Sequence, residues 1–237
     1  MSAVIAVNWV PYKDQKRRDQ QREAMASLDM PGLVKVVCIL EHDFIDHEDA
    51  LHEDRPGDFP KMSRLLTRDA VDEIGGDRHL PFLKEMMDAA YDTAQTAVEV
   101  DHVPKWVGLL NSDIIVTLKG VDKLEELARE DIEVAVVHRR SLRTGQDFMG
   151  GVDGFFIRTT SWPLFRQPFP DFVLGEPGWG EGVRDWFQGR TKVSRICDGA
   201  FLHRDHPRNW DFSKTPATLH NQGLYQSVQK ELKNGNL

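Results

Sequence analysis

The sequence predicts an α/β fold in which a mostly parallel sheet is covered by helices on both faces. Residues 4–10 and 33–40 are near-continuous apolar runs, and a charged helical pattern over 13–28 separates them. Runs of this kind mark strands buried on both faces, and the strand–helix–strand order makes the parallel crossover the expected connection. Two further apolar stretches, 106–110 and 132–137, extend the same alternation.

The elements follow in order. Residues 4–10 are the first strand, ended by Pro11, and Asp29-Met-Pro-Gly32 closes the charged helix as a turn. Residues 41–79 are polar and carry Pro56, Gly57, Pro60, Gly75 and Gly76, so they read as a long connection. From Leu80, the positions Leu83, Met87, Ala90, Tyr91, Ala94, Ala97 and Val98 recur at helical spacing. Residues 106–110 and 114–117 read as one buried strand interrupted by Asn111-Ser112-Asp113, followed by a short helix at 121–130 and a strand at 132–137. The second half holds Trp162, Trp179, Trp186 and Trp210 among many prolines and glycines, and reads as an irregular, substrate-facing layer. No linker-like stretch divides the chain, so one domain over residues 1–237 is expected, in halves 1–140 and 141–237.

Composition excludes several classes. At 237 residues and 40% apolar the chain can bury a substantial core, which excludes wholesale disorder. No apolar run approaches the ~20 residues that span a bilayer. The opening Met1-Ser-Ala-Val-Ile-Ala-Val7 lacks the basic start of a signal peptide. Cys38 and Cys197 make no disulfide framework, so a reducing cytoplasm is the expected compartment. A net charge of −8 argues against attachment to nucleic acid by bulk charge.

The triplet Asn111-Ser112-Asp113 is the most informative local feature. Side chains at i and i+2 of an extended chain point the same way, and open α/β sheets bind ligands at the C-terminal ends of their strands. Hard divalent cations take oxygen ligands there, and Mg²⁺ binds through one or two carboxylates plus substrate phosphates. The plain alternative is a strand end whose Asn and Asp supply turn chemistry.

Leu109-Leu-Asn-Ser-Asp-Ile-Ile115 resembles the Asp-x-Asp motif of GT-A glycosyltransferases, with asparagine at the first acidic position. Met149-Gly-Gly-Val152 looks like the Phe-Gly-Gly-Val segment of the β-1,4-galactosyltransferase, family 2-like group, and Gly178-Trp-Gly-Glu181 resembles that group's Trp-Gly-Trp-Gly-x-Glu-Asp element. His203-Arg-Asp-His206 resembles its later metal-ligand segment. Val7-Asn-Trp-Val-Pro-Tyr12 is similar to the nucleotide-holding first strand and turn, and Arg78-x-Leu-Pro-Phe-Leu83 to the lead into the helix before the metal motif. The resemblance covers most of the chain, and the order of these short motifs carries it. It implies a GT-A, Rossmann-like fold and metal-dependent transfer of a sugar from a nucleotide-diphosphate sugar, with UDP the implied nucleotide. Residues 1–140 then become the nucleotide-sugar half and 141–237 the acceptor and catalytic half.

The resemblance also implies a set of site residues. Asp113 with His203 or His206 would hold Mn²⁺ or Mg²⁺, with Asn111 as an accessory contact. Asn8, Trp9, Glu41, Arg78, Ser112 and Trp179 fall on the donor side. The general base falls among Glu181, Asp185 and Asp153. The group has an Asp where this chain has Gly182, and Asp185 lies one helical turn beyond Glu181 if Trp179 opens a helix. For each of these the structural alternative is ordinary: a core tryptophan, a solvated arginine, a capping carboxylate. A sugar-nucleotide nucleotidyltransferase would carry a Gly-rich loop after the first strand, where Asn8-Trp-Val-Pro-Tyr12 has no glycine. A non-catalytic nucleotide- or glycan-binding module would not need all the acidic and histidine segments together. The expected acceptor is a glycan or small hydroxylated molecule; a hydroxymethylated base in phage DNA is the minority option, since the basic residues form no stripe.

Three clusters are set aside. His42, His47 and His52 are spaced every fifth residue, which matches neither a zinc nor an EF-hand pattern, so 41–54 reads as a solvated acidic loop. The basic run 13–18 reads as a helix's wet face, while His138-Arg-Arg140 follows a sheet strand and reads as near a phosphate-bearing ligand. The tail reads as a terminal helix fraying at 234–237.

Overall fold

A computed structural model describes residues 3–46, 63–96, 103–206 and 214–235. In chain order the elements are β1 (Ala3–Asn8), α1 (Gln15–Ala26), β2 (Leu33–Leu40), α2 (Glu41–Asp46), β3 (Ser63–Leu66), α3 (Ala70–Ile74), α4 (Leu83–Thr96), β4 (Trp106–Leu110) and β5 (Ile114–Val116). They continue as α5 (Leu118–Leu127), β6 (Val134–Val137), β7 (Arg140–Ser141), β8 (Gly154–Arg158), α6 (Trp162–Phe165), α7 (Trp179–Gln188), β9 (Val193–Ile196), β10 (Phe201–His203) and α8 (Pro216–Asn234).

The central sheet has seven strands in the order β3-β2-β1-β4-β8-β6-β9. All neighbours are parallel except β8, which runs antiparallel to both β4 and β6. Alternation along β1 sends Val4 and Ala6 into one apolar cluster and Ala3, Ile5 and Val7 into the other. The first cluster lies beneath α4 and α7 and is rich in rings, including Phe155, Trp162, Phe169 and Trp186. Both faces of β1 are therefore covered, which is why the strand reads as an unbroken apolar run.

Register decides where the functional edge falls. Val7 lies opposite Leu110, Leu110 opposite Gly154, and Gly154 opposite Val137. Because β8 is reversed, the residues just beyond that row, Asn8, Asn111, Asp153 and His138, emerge at one edge.

The strand expected to continue through 114–117 instead leaves the sheet at the triplet. β5 belongs to a second, three-stranded sheet, β5-β10-β7. β10 runs antiparallel to β5 with His203 opposite Ile114, and parallel to β7 with His203 opposite Ser141. The polar triplet turns the chain out of the core, where those side chains would otherwise lack partners.

Within the connection 41–79, the described parts 41–46 and 63–79 carry α2, β3 and α3, while Pro56, Gly57 and Pro60 lie outside the described residues. The second half also supplies β8 and β9 to the central sheet. Residues 47–54 of the acidic stretch, Ala97, Val98, Trp210 and the last two tail residues lie outside the described residues. Among the described residues, no helix is long and apolar enough to cross a membrane.

Candidate functional site

At the edge defined above, Asp113 meets two histidines from the second sheet and the segment after it. Asp113 Oδ2 lies 2.9 Å from His206 Nε2 and 3.3 Å from His203 Nε2, and the two imidazole nitrogens are 3.1 Å apart. Antiparallel pairing of β10 with β5 places His203 one residue from a position opposite Asp113, and three residues bring His206 back to the same point. Burial pushes the Asp113 carboxyl up, but hydrogen bonds and charge from His203 and His206 outweigh burial and hold it far below the usual carboxylate range.

The triangle suits a cation. Ligands about 2.1 Å from an ion on adjacent octahedral positions stand about 3.0 Å apart, close to the three separations here. One carboxylate oxygen with two imidazole nitrogens is a donor set for a borderline ion such as Mn²⁺, less so for Mg²⁺, which favours oxygen throughout. The structure thus brings both histidines to Asp113. Asp147, Cys197 and Asp198 also lie close together, but Arg140 already donates to both Asp147 oxygens at 2.9 Å and supplies the positive charge there.

Asn111 is held to Asp153 at the start of β8. Its backbone N–H donates to Asp153 O at 2.9 Å, and Nδ2 stands 3.4 Å from Asp153 Oδ1. Asp153 is only 2% exposed and is ion-paired through the same Oδ1 to Arg139, whose guanidinium also lies 4.8 Å from the Phe148 ring centroid. Burial raises the Asp153 carboxyl and Arg139 lowers it, with the Asp113 charge adding to the rise. His138, next in the row, is buried and held by Gly151 O at 2.8 Å. Asn8 Oδ1, His138 Nε2, Asp153 Oδ2 and His203 Nδ1 are all buried without a hydrogen-bond partner among the described residues. Buried polar atoms are rarely left so, and their concentration at one edge marks a place prepared for a ligand.

Ser112 bonds the Tyr12 phenol, which burial pushes above its ordinary value with the Asp113 charge adding to the shift. Arg17 of α1 sits 5.1 Å from the Tyr12 ring centroid, so the basic run 13–18 is not wholly a wet face. Tyr12, which the sequence reading did not single out although it ended the quoted first-strand motif, thus lies beside Ser112 and Asp113.

Glu41 opens α2, and the following His42 stacks on His79 with ring centroids 3.5 Å apart. His79 Nδ1 lies 2.6 Å from the buried Asp69, and Arg78 is ion-paired to Glu176, itself 2% exposed. Thr218 donates to the other Glu176 oxygen at 2.7 Å, so α8 fixes the anchor of Arg78. The chain neighbours of Glu41 and Arg78 thus meet in the His42–His79 stack.

Three expected site residues fall elsewhere. Trp9 is 1% exposed and continues the Ala3, Ile5, Val7 face into the core, because strand alternation carries it there. Trp179 opens α7 but is buried in the other cluster. Asp185 lies one turn beyond Glu181 as expected, yet accepts from Arg184 Nε at 2.7 Å and from Gln229 of α8, which places it at a helix–helix contact. Glu181 lies in the first turn of α7. A Cβ on Gly180 would stand 2.8 Å from Val152 O, so that turn packs directly on the residue before Asp153. A Cβ on Gly182 would stand 2.3 Å from the Phe172 ring, which is why an acidic residue has no room there.

No protein-family model matches the chain, and no curated protein matches it. Solved structures do. S. aureus TarS aligns at 11% identity with a TM-score of 0.54, over 100% of this chain and 40% of that one. S. aureus TarS 1-349 in complex with UDP-GlcNAc aligns at 12% identity with a TM-score of 0.52, over 99% of this chain and 66% of that one. A protein from Desulfovibrio desulfuricans G20 described as a nucleotide-diphospho-sugar transferase aligns at 16% identity with a TM-score of 0.47, over 96% of this chain and 99% of that one. Together with the strand order and the reversed β8, the two TarS alignments give the chain a GT-A-like fold.

Proposed function

We propose that the chain is a metal-dependent glycosyltransferase that moves a sugar from a nucleotide-diphosphate sugar, with UDP as the nucleotide, to a hydroxyl acceptor. The observation that carries this reading is the Asp113–His203–His206 triangle at the C-terminal edge of β4, where open α/β sheets bind ligands. Asp113, His203 and His206 would hold the ion, and two imidazoles in the set favour Mn²⁺ over Mg²⁺, which takes oxygen throughout. Bound there, a divalent cation supplies Lewis-acid neutralisation of the leaving diphosphate.

The remaining work falls to side chains. Arg78, held by buried Glu176, offers a fixed guanidinium to the diphosphate. Asn8, Tyr12, Ser112 and Glu41 form the nucleotide side, the Asn8 oxygen lacking a donor among the described residues. Glu181 is the general base and takes the acceptor hydroxyl proton on a carboxylate oxygen. Its place in the α7 turn packed on Val152 supports that role, whereas both Asp185 oxygens are engaged with Arg184 and Gln229. TarS was solved with UDP-GlcNAc, which makes a UDP-N-acetylhexosamine the first donor to test.

The test is a donor panel with Mn²⁺ or Mg²⁺, read as nucleotide release, followed by an acceptor screen with the preferred donor. Slow UDP release without acceptor, abolished by chelator and by Asp113→Asn, is expected. Full turnover in excess chelator refutes the metal role, and no release from any nucleotide-sugar refutes the transferase reading.

A further inference from the structure

We infer that Asp153 is the second acidic group of the cation site, supplying from the start of β8 the carboxylate that Asn111 does not supply at the end of β4. The inference rests on the metal reading above and adds to it a residue outside the Asp-His triangle.

The triangle alone is poor in charge. Two neutral imidazoles and one carboxylate leave a divalent ion with a net charge of about +1, and hard or borderline cations favour further oxygen. Asn111, two residues before Asp113, adds no charge, and its amide nitrogen stands 3.4 Å from Asp153 Oδ1. The register of β4 against β8, closed by the 2.9 Å bond from Asn111 N–H to Asp153 O, fixes the two residues side by side.

Its two oxygens are not equivalent. Arg139 and Asn111 both hold Oδ1. Oδ2 is buried and has no partner among the described residues. Leaving one oxygen of a buried carboxylate bare is costly, because the lost hydration is not replaced. The ligand atoms of Asp113, His203 and His206 all lie within 4.8 Å of one another and no Asp153 oxygen belongs to that group, so the contact that removes this cost is a water of the cation's first shell donating to Oδ2. Arg139 then serves as the clamp that keeps Oδ1 occupied and Oδ2 available.

The experiment titrates Mn²⁺ into the full chain without donor and reads free ion by electron paramagnetic resonance. Near-UV circular dichroism checks that each variant is folded. Asp153→Asn is expected to weaken Mn²⁺ binding about tenfold, the scale of removing a supporting group at a metal site. Asn111→Asp alone is expected to tighten it, and the swap Asn111→Asp/Asp153→Asn to return it towards the native value. Native affinity in Asp153→Asn, with binding abolished in Asp113→Asn, overturns this inference and leaves the metal reading standing. A swap that stays as weak as Asp153→Asn overturns it too. Should Asp153→Asn not fold, Asn111→Asp decides: tighter binding supports the inference, and unchanged or weaker binding overturns it. Unaltered binding in Asp113→Asn removes the metal reading and this inference together.

Discussion

Gly182 invites an experiment on why the chain lacks an acidic residue there. The ring of Phe172 occupies the space: a Cβ on Gly182 would stand 2.3 and 2.5 Å from two of its carbons. Carbon atoms settle at about 3.5–4.0 Å, so the ring must move by about 1 Å or more. Phe172 is fully buried, and its carbonyl accepts from Leu83 N–H at 2.9 Å, so little free space receives it. Overpacking of this kind costs roughly 1–3 kcal/mol, and the helix propensity gained by Gly→Ala returns up to about 1 kcal/mol. Gly182→Ala is therefore expected to lose about 1–2 kcal/mol, a fall in Tm of roughly 2–8 °C for a chain of this length. Gly182→Asp adds an unpaired buried carboxylate, worth about 3 kcal/mol or more, and is expected to lower stability further without raising turnover. Urea denaturation of Gly182→Ala, Phe172→Leu and the double variant measures the coupling directly. A double variant more stable than the sum of the singles by about 1 kcal/mol is expected, since leucine vacates the contested space. Strict additivity, or a Gly182→Ala protein as stable as the native one, refutes the steric account.

Two other outcomes follow from the structure. Asp185→Asn is expected to cost about 1–3 kcal/mol by weakening a buried, charge-assisted contact between α7 and α8, yet to retain turnover in folded protein; a hundredfold fall in kcat at full folding would return Asp185 to the list of bases. Burial pushes both the Cys38 and the Cys197 thiols up, so thiolate forms only at higher pH than in a free thiol. In timed labelling at pH 8, Cys197 is expected to react slowly and faster as pH rises, and fully buried Cys38 only in denaturant; rapid labelling of both in native protein would contradict this packing.

The sequence by itself determined the layered class and the position of its chemistry. Strands buried on two faces leave near-continuous apolar runs, so β1, β2, β4 and β6 were legible one by one. A polar triplet between aliphatic runs has few physical explanations, and Asn111-Ser112-Asp113 does mark the point where the chain leaves the sheet. Local pattern could not show which strands would be neighbours. β8 was missed because its insertion between β4 and β6 is a non-local pairing, and only that pairing sets Asp153 beside Asn111. The meeting of Asp113 with His203 and His206 likewise depends on β10 crossing to β5, some ninety residues away in the chain. Trp9 and Trp179 show the same divide from the other side. Tryptophan suits a ligand platform and a core equally well, and the choice was made by which face of a packed element each one occupied. The kinds of side chain available were written locally. Which of them share a site was decided by register and crossover, which tertiary packing alone sets.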